Sequence, residues 1–361
     1  MTRSVLSDEA QARFADARFG AIRRMGEIAR ETRCDFLLVC GDVFESNHVD
    51  RRTVARALDA LGDVGLPVYL LPGNHDPLDA ASLFRSSAFA GSAPEGVHVI
   101  TDAAPREVAP GVELIGAPWH SRRPERNPAL AALESLGAPG PLRILAAHGG
   151  VDLLTPERRD ATLLPLAPIE RALAEGRLHY AALGDRHSLT EVGSSGRVFY
   201  AGAPEATDWA ERDPGSALLV ALDREGVRAE PHRVGSWCFA RPEAVVLDGS
   251  ADLGALGERL DAFPAKERTV LRLELAGSLD LRGSARLEAL LERARDLFAG
   301  LDVRDAGLRV AARDEDVSDL DLGGFALRAA QRLRGEADAG SAAARDALAL
   351  LVRLARAEAA P

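Results

Sequence analysis

Lysine is all but missing from this chain of 361 residues: 44 are basic, and Lys266 is the one lysine among them. That excludes a lysine-rich tail of the kind that condenses on nucleic acid or anionic lipid. Cysteine is scarce as well. Cys34, Cys40 and Cys238 are odd in number and share no metal-type spacing, so they build neither a disulfide framework nor a cysteine zinc site and point to a reducing cytoplasm. No apolar run approaches ~18 residues, and the opening MTRSVLSDEAQARF has no hydrophobic segment after its basic residue, so neither a membrane span nor a signal peptide is expected. Positive charge is in deficit: 55 acidic against 44 basic residues leave a net charge of -11. Any polyanion this chain handles must be met by a local patch or by bound metal.

What is present is an ordinary globular composition, 47% hydrophobic and 27% charged, with enough length for two domains. Phe19, Ile22, Met25 and Ala29 recur at helical spacing within 9–32, ahead of the apolar run 36–40. The same succession of helix and strand recurs with 53–61 before 68–71 and 169–174 before 180–183. Shorter strands are expected at 97–101, 112–116, 143–147, 198–200 and 217–222. Near-continuous apolar strands alternating with helices predict an α/β domain whose sheets are covered on both faces. After Trp237 the character changes. Strands at 244–247, 269–275 and 308–312 alternate with helices at 253–263 and 286–298, which predicts a small separate α+β domain. A helix at 325–333, a break at 335–341 and a helix at 343–357 close the chain.

Four strand ends are each followed at once by a polar sequence rich in metal-type ligands. They are Gly41-Asp42-Val43-Phe44-Glu45, Gly73-Asn74-His75-Asp76, His148-Gly149-Gly150 and Gly184-Asp185-Arg186-His187. Loops at the carboxyl ends of neighbouring strands converge on one crevice in open α/β sheets. Taken singly, each motif has a plain structural reading: an Asx turn accounts for Asp42 or Asn74, a satisfied strand-end histidine for His148, a cap for Asp185. Together, carboxylate, amide oxygen and imidazole suit Mn²⁺ or a related divalent ion. Two such ions about 3.5–4 Å apart activate water for in-line attack on phosphorus, which favours phosphoester hydrolysis.

These residues carry a resemblance. The chain resembles the calcineurin-like metallophosphoesterases and, within them, the SbcD-type DNA repair exonucleases of a bacterial branch with the phrase Ala182-Leu183-Gly184-Asp185-Arg186-His187-Ser188. The likeness runs from about Arg3 to Phe239, through Cys40-Gly41-Asp42-Val43-Phe44-Glu45-Ser46-Asn47, Leu71-Pro72-Gly73-Asn74-His75-Asp76-Pro77, Gly116-Ala117-Pro118-Trp119 and Gly202-Ala203-Pro204-Glu205. It implies a four-layer α/β/β/α sandwich over 1–236, a capping domain over 237–320, and a C-terminal helical segment over 321–361. It also implies two divalent ions, Mn²⁺ or Mg²⁺, with Asp42 bridging them, Asn74 and His148 on the second, and His187 on the first. His75 matches the histidine that protonates the leaving oxygen, with Asp76 either orienting it or holding the turn. DNA is the implied substrate and a coiled-coil ATPase of the SbcC type the implied partner, with a homodimer also allowed and no membrane. The last helix, with Leu348, Leu351 and Ala355 on one side and Leu350 and Leu354 adjacent, either packs on its own domain or docks on that ATPase.

Two departures stand out. Asp185 replaces the first histidine of the family's Gly-His-x-His motif, which keeps a ligand at the second site but shifts its preference toward hard ions. The family's opening Asp-x-His or Asp-x-Gln has no match, because Asp8, Asp16 and Asp35 follow no apolar strand. A start upstream of Met1 is therefore expected, the alternative being a chain that lacks half of one metal site. Non-catalytic DNA binding, a scaffold role, and hydrolysis of small phosphodiesters remain as rival functions. Arg186, Arg122, Arg123 and Glu45 are the candidate substrate contacts, while His98, His179 and His232 read as structural or exposed.

Overall fold

The computed structural model describes residues 5–154, 160–310 and 324–341, with the helical residues 343, 344, 347, 348, 350 and 351. The chain divides into one unit of Ala12–Trp237 and another of Thr2–Gln11 with Cys238–Pro361.

The first unit holds two sheets. Strands β1 (Leu37–Cys40), β2 (Val68–Leu71) and β3 (Val97–Val99) pair in parallel in that order, with β1 at an edge. The six-stranded sheet runs β4-β5-β6-β7-β9-β8, comprising β4 (Arg106–Ala109), β5 (Val112–Gly116), β6 (Leu142–His148), β7 (Tyr180–Gly184), β8 (Thr190–Glu191) and β9 (Val198–Tyr200). Its central strands are parallel and its two edge pairs antiparallel. A hairpin of β10 (Ser216–Leu222) and β11 (Val227–Arg233) completes the strands.

Side-chain alternation along these strands builds the layers. On β6, Leu145 and Ala147 face helices α4 (Pro128–Glu134) and α5 (Leu166–Ala174), burying Ala129, Leu133, Ile169 and Leu173 against them. Ile144 and Ala146 face the other way and meet Leu38, Leu71 and Ile100 of the three-stranded side. The far side of that sheet is covered by Phe19 and Ile22 of α1 (Asp8–Glu31), by Val54, Leu58 and Leu61 of α2 (Arg51–Gly62) and by Phe89 of the one-turn helix α3 (Ser87–Ala90). Because 144–147 of β6 are buried on both faces, they read as a continuous apolar run, each fully buried Leu or Ile contributing about 1.5–3 kcal/mol. The result is the α/β/β/α sandwich that the family resemblance implies, with the covered sheets that the apolar runs predict. Helix starts follow local chemistry: Asp50 accepts from the Thr53 N–H at 2.9 Å, and Asn127 caps α4 with Pro128 in its first turn.

The second unit is a parallel sheet of β12 (Cys238–Ala240), β13 (Val245–Leu247), β14 (Thr269–Leu279) and β15 (Gly300–Val310), crossed over by α6 (Ser250–Ala262) and α7 (Leu281–Leu297). Leu253, Leu256, Leu260, Leu287 and Leu291 pack on Leu271, Leu273 and Leu275. Leu6 bridges antiparallel to Gly300. Two boundaries depart from expectation. β15 starts at Gly300 rather than 308, because pairing with β14 carries it through the charged stretch Arg304-Asp305 past a register shift. Helix α8 (Gly324–Asp338) runs through Gly335, where a break is expected, since an exposed glycine weakens a helix by only ~1 kcal/mol. Leu354 and Ala355 lie outside the described residues, as do 311–320. Among the described residues, no helix is long and apolar enough to cross a membrane.

Candidate metal centre

The two sheets deliver two donors each. From the three-stranded sheet, β1 ends at Cys40 and passes into Gly41-Asp42, and β2 ends at Leu71 just ahead of Asn74. From the six-stranded sheet, His148 is itself the last residue of β6, and Asp185 follows the last residue of β7. The ends of β1 and β7 touch so closely that a Cβ on Gly184 would lie 1.6 Å from the Cys40 carbonyl oxygen, and one on Gly41 would lie 2.0 Å from His148 Nδ1. Only glycine fits either position.

His148 is the centre of the set. Its Nδ1–H donates to the Cys40 carbonyl at 2.8 Å, fixing the ring and directing Nε2 toward oxygen atoms. Nε2 lies 3.0 Å from Asn74 Oδ1, 3.3 Å from Asp42 Oδ2 and 3.8 Å from Asp185 Oδ1. The donor atoms of Asp42, His148 and Asp185 all lie within 4.8 Å of one another. The ring is held from behind, where Trp119 Nε1 donates to the His148 carbonyl at 2.9 Å and the Tyr200 hydroxyl donates to the Gly149 carbonyl at 2.7 Å. An imidazole lone pair facing two carboxylates and an amide oxygen is an arrangement of acceptors, and a cation is what satisfies it. Three hard oxygens with one imidazole and no thiolate suit a hard or borderline divalent ion.

The electrostatics agree. Burial pushes the Asp42 carboxyl up, but the hydrogen bond and charge of His148 and the His75 N–H hold it below the usual carboxylate range. Burial pushes His148 down, and the hydrogen bond and charge of Asp42 outweigh it, raising the imidazole above its ordinary value. A proton and a metal ion therefore compete for the same nitrogen. Both carboxylates stand on left-handed backbone, Asp42 at φ 52° and Asp185 at φ 96°, a conformation that costs about 1–3 kcal/mol in a non-glycine residue and concentrates at functional sites.

His75 sits beside this set. Its backbone N–H donates to Asp42 Oδ1 at 3.0 Å and its Nδ1–H to the Glu45 carbonyl at 3.0 Å, which leaves Nε2 as the nitrogen available to a substrate. Asp76 is wholly buried, and its carboxylate accepts from Gly73 N–H at 2.7 Å and Phe44 N–H at 3.0 Å. Burial lifts this carboxyl to about 6 against those two bonds. It ties together the two loops that carry Asp42 and Asn74, a turn-holding role. Arg122 Nη2 donates to the His75 carbonyl at 3.3 Å. Glu45 is exposed and meets His75 through its backbone, Arg186 donates to Thr190 Oγ1 at 2.9 Å, and Arg123 bonds Ser121 through its main chain.

His187 is not brought into the four-donor set. Its Nδ1 lies 2.8 Å from Glu211 Oε1 and 3.0 Å from Thr207 Oγ1. The hydrogen bond to Glu211 raises the imidazole despite burial, with the charges of Glu211, Asp185 and Asp42 adding to the effect. Sequence reasoning missed Glu211 and Thr207, which lie in an unremarkable polar loop with no strand end to mark them. Asp16, on α1, pairs with Arg56 at the surface.

Fold and donor set together place the chain among the metallophosphoesterases. The chain belongs to the calcineurin-like phosphoesterase family, whose family model matches residues 15–221. It is similar to YhaO of Bacillus subtilis (strain 168), described as an uncharacterized metallophosphoesterase, at 26% identity over 291 residues. That match covers 76% of this chain and 66% of the relative, so this chain spans just under two thirds of the relative's length. Among solved structures, TT1561 of Thermus thermophilus is similar at 12% identity with a TM-score of 0.38, covering 59% of this chain and 92% of that one.

Proposed function

We propose that this chain is a Mn²⁺-dependent phosphodiesterase acting on DNA, in the manner of SbcD-type repair nucleases. Phosphoester hydrolysis with divalent metal follows from the family. The observation that carries the catalytic reading is the histidine with one tethered ring nitrogen, His75, placed against Asp42 of the four-donor set. When bound, the metal polarises the phosphoryl oxygens and acidifies the attacking water. Asp42, Asn74, His148 and Asp185 would hold it, and His187 of the last motif would serve as a further ligand. His75 holds the proton at Nε2 and passes it to the leaving oxygen. Arg122, linked to the His75 backbone, and Arg186 and Arg123 on the rim receive the flanking phosphates of a polyanion that the net charge of -11 would otherwise repel. A coiled-coil ATPase of the SbcC type is the partner this reading assigns to the chain.

The test is Mn²⁺-dependent degradation of plasmid and single-stranded DNA beside bis-p-nitrophenyl phosphate, with Asp42→Ala as control. DNA cleavage that disappears in Asp42→Ala supports the reading. Turnover of the small diester alone moves the substrate class to small phosphodiesters. No turnover of either by metal-loaded protein leaves a DNA-binding scaffold.

A further inference from the structure

We propose that the open edge of β15 pairs with the same edge of a second copy of this chain, antiparallel about a two-fold axis, so that the two copies' four-stranded sheets join into one. Of the strands that end a sheet, β15 is the longest, at 11 residues, whereas β1, β3, β4 and β8 run two to four residues each. One side of β15 is paired with β14, and among the described residues its other side meets only Leu6, opposite Gly300. Residues 301–310 thus present a row of backbone donors and acceptors without a ladder partner, which is a template for another strand. No proline blocks this edge, and Arg304–Gly307 at its middle are exposed.

The edge is complementary to itself, which is why a second copy is the occupant. Run antiparallel against its own copy, it sets Leu301 opposite Val310, Asp302 opposite Arg309, Val303 opposite Leu308 and Arg304 opposite Gly307. Apolar residues meet apolar ones, acid meets base, and the long Arg304 faces a glycine. A slip by one residue sets Asp305 against its own copy or Arg309 against Val303. The faces agree as well. A two-fold axis perpendicular to the sheet leaves each side chain on the face it starts from, so opposed residues must share a face. In an unbroken strand Asp302 and Arg309 would point to opposite faces. β15 is not unbroken: while β14 passes from Glu274 to Ala276 it passes from Arg304 to Gly307, a bulge that reverses the alternation. Leu301, Val303 and Leu308 accordingly all pack on the core of α6 and α7. Asp302 lies on the other face, where Arg272 Nε donates to it at 2.7 Å, and the exposed Arg309 shares that face. Arg309 of the second copy takes the place of Arg304, a 63% exposed side chain, beside Asp302.

A contact one strand wide is small, so the dimer is weak and shows at high concentration. The test follows the full chain by sedimentation velocity over about 1–200 µM, with hydrogen–deuterium exchange of residues 301–310 read at both ends of that range, in wild type and Arg309→Glu. Wild type should associate as concentration rises, and alternate amides of 301–310 should exchange more slowly in step. Arg309→Glu sets two acids opposite each other twice in the symmetric pair, so it should raise the dissociation constant about tenfold at an unchanged melting temperature. Wild type that stays monomeric across the range overturns the proposal. A dimer whose 301–310 amides exchange as fast as the monomer's overturns it too, since the copies then meet elsewhere. An Arg309→Glu dimer as tight as wild type overturns the pairing of Asp302 with Arg309 and, with it, the two-fold register.

Discussion

His75 and Asp42 are joined by a hydrogen bond yet are asked for different things, a proton from one and a metal from the other. His75→Ala should therefore lower the rate by ~10²–10⁴ with metal content nearly unchanged, while Asp42→Ala should lose metal; calorimetric titration of both variants decides, and equal metal loss would remove the acid role from His75. Away from the site, His179 accepts the Arg143 N–H at 3.0 Å, and its imidazole is lowered by burial and by Arg197, Arg224 and Arg143. A histidine lowered in the folded state contributes stability that is fully present above its unfolded value of about 6.5 and is lost as pH falls through its folded value. Denaturant titrations at pH 7.5 and 5.5 should show a loss in wild type that His179→Asn reduces. The four donors were legible because each stands at or just beyond the end of an apolar strand. Of the two readings of Asp76, holding the turn is the one its bonds to Gly73 and Phe44 N–H support; that it also ties two loops together was not legible, since no pattern of side chains reports backbone N–H partners. Glu211 was illegible because its meaning comes from a loop folding back 24 residues onto His187.

At the scale of elements, the loop after β9 is held by one acid. Glu205 is 3% exposed and accepts from three backbone N–H groups, so Glu205→Ala should strand those donors in the interior and lower the unfolding free energy by ~2–5 kcal/mol in urea titration; a change under ~0.5 kcal/mol would mean that water replaces the carboxylate. The strands of the two sheets at 68–71, 112–116 and 198–200 coincide with the expected ranges residue for residue, because burial asks for apolar residues along them, interrupted here by Glu113 alone. β11 escaped notice for the opposite reason. Its sequence Val-Arg-Ala-Glu-Pro-His-Arg has no apolar run, and it forms because its backbone pairs with β10 at an edge where Pro231 is tolerated. The helix α4, with its small Ala-rich face, gave too weak a periodicity to stand out beside α2.

For the whole molecule, the concentration of two carboxylates in a half-covered site makes stability depend on metal. Mn²⁺ at about 100-fold excess over its dissociation constant should stabilise the fold by ~2.7 kcal/mol relative to protein in chelator, seen as an upward shift of the melting temperature. Asp185→Asn, which keeps a residue that tolerates the left-handed backbone, should lose most of that shift and, by removing one of two facing negative charges, melt higher than wild type in chelator. An equal shift in both proteins would place the ion elsewhere. The division of donors between the sheets reaches further, into the order of events as the chain folds. A folding intermediate with the three-stranded sheet alone holds Asp42 and Asn74, and one with the six-stranded sheet alone holds His148 and Asp185. Neither pair suffices for a hard divalent ion, so the metal binds only after the sheets have met. It should then act on the escape from the native state rather than on the approach to it: Mn²⁺ should leave the refolding rate of this unit almost untouched and slow its unfolding, behaving as a bolt slid home after the door has closed.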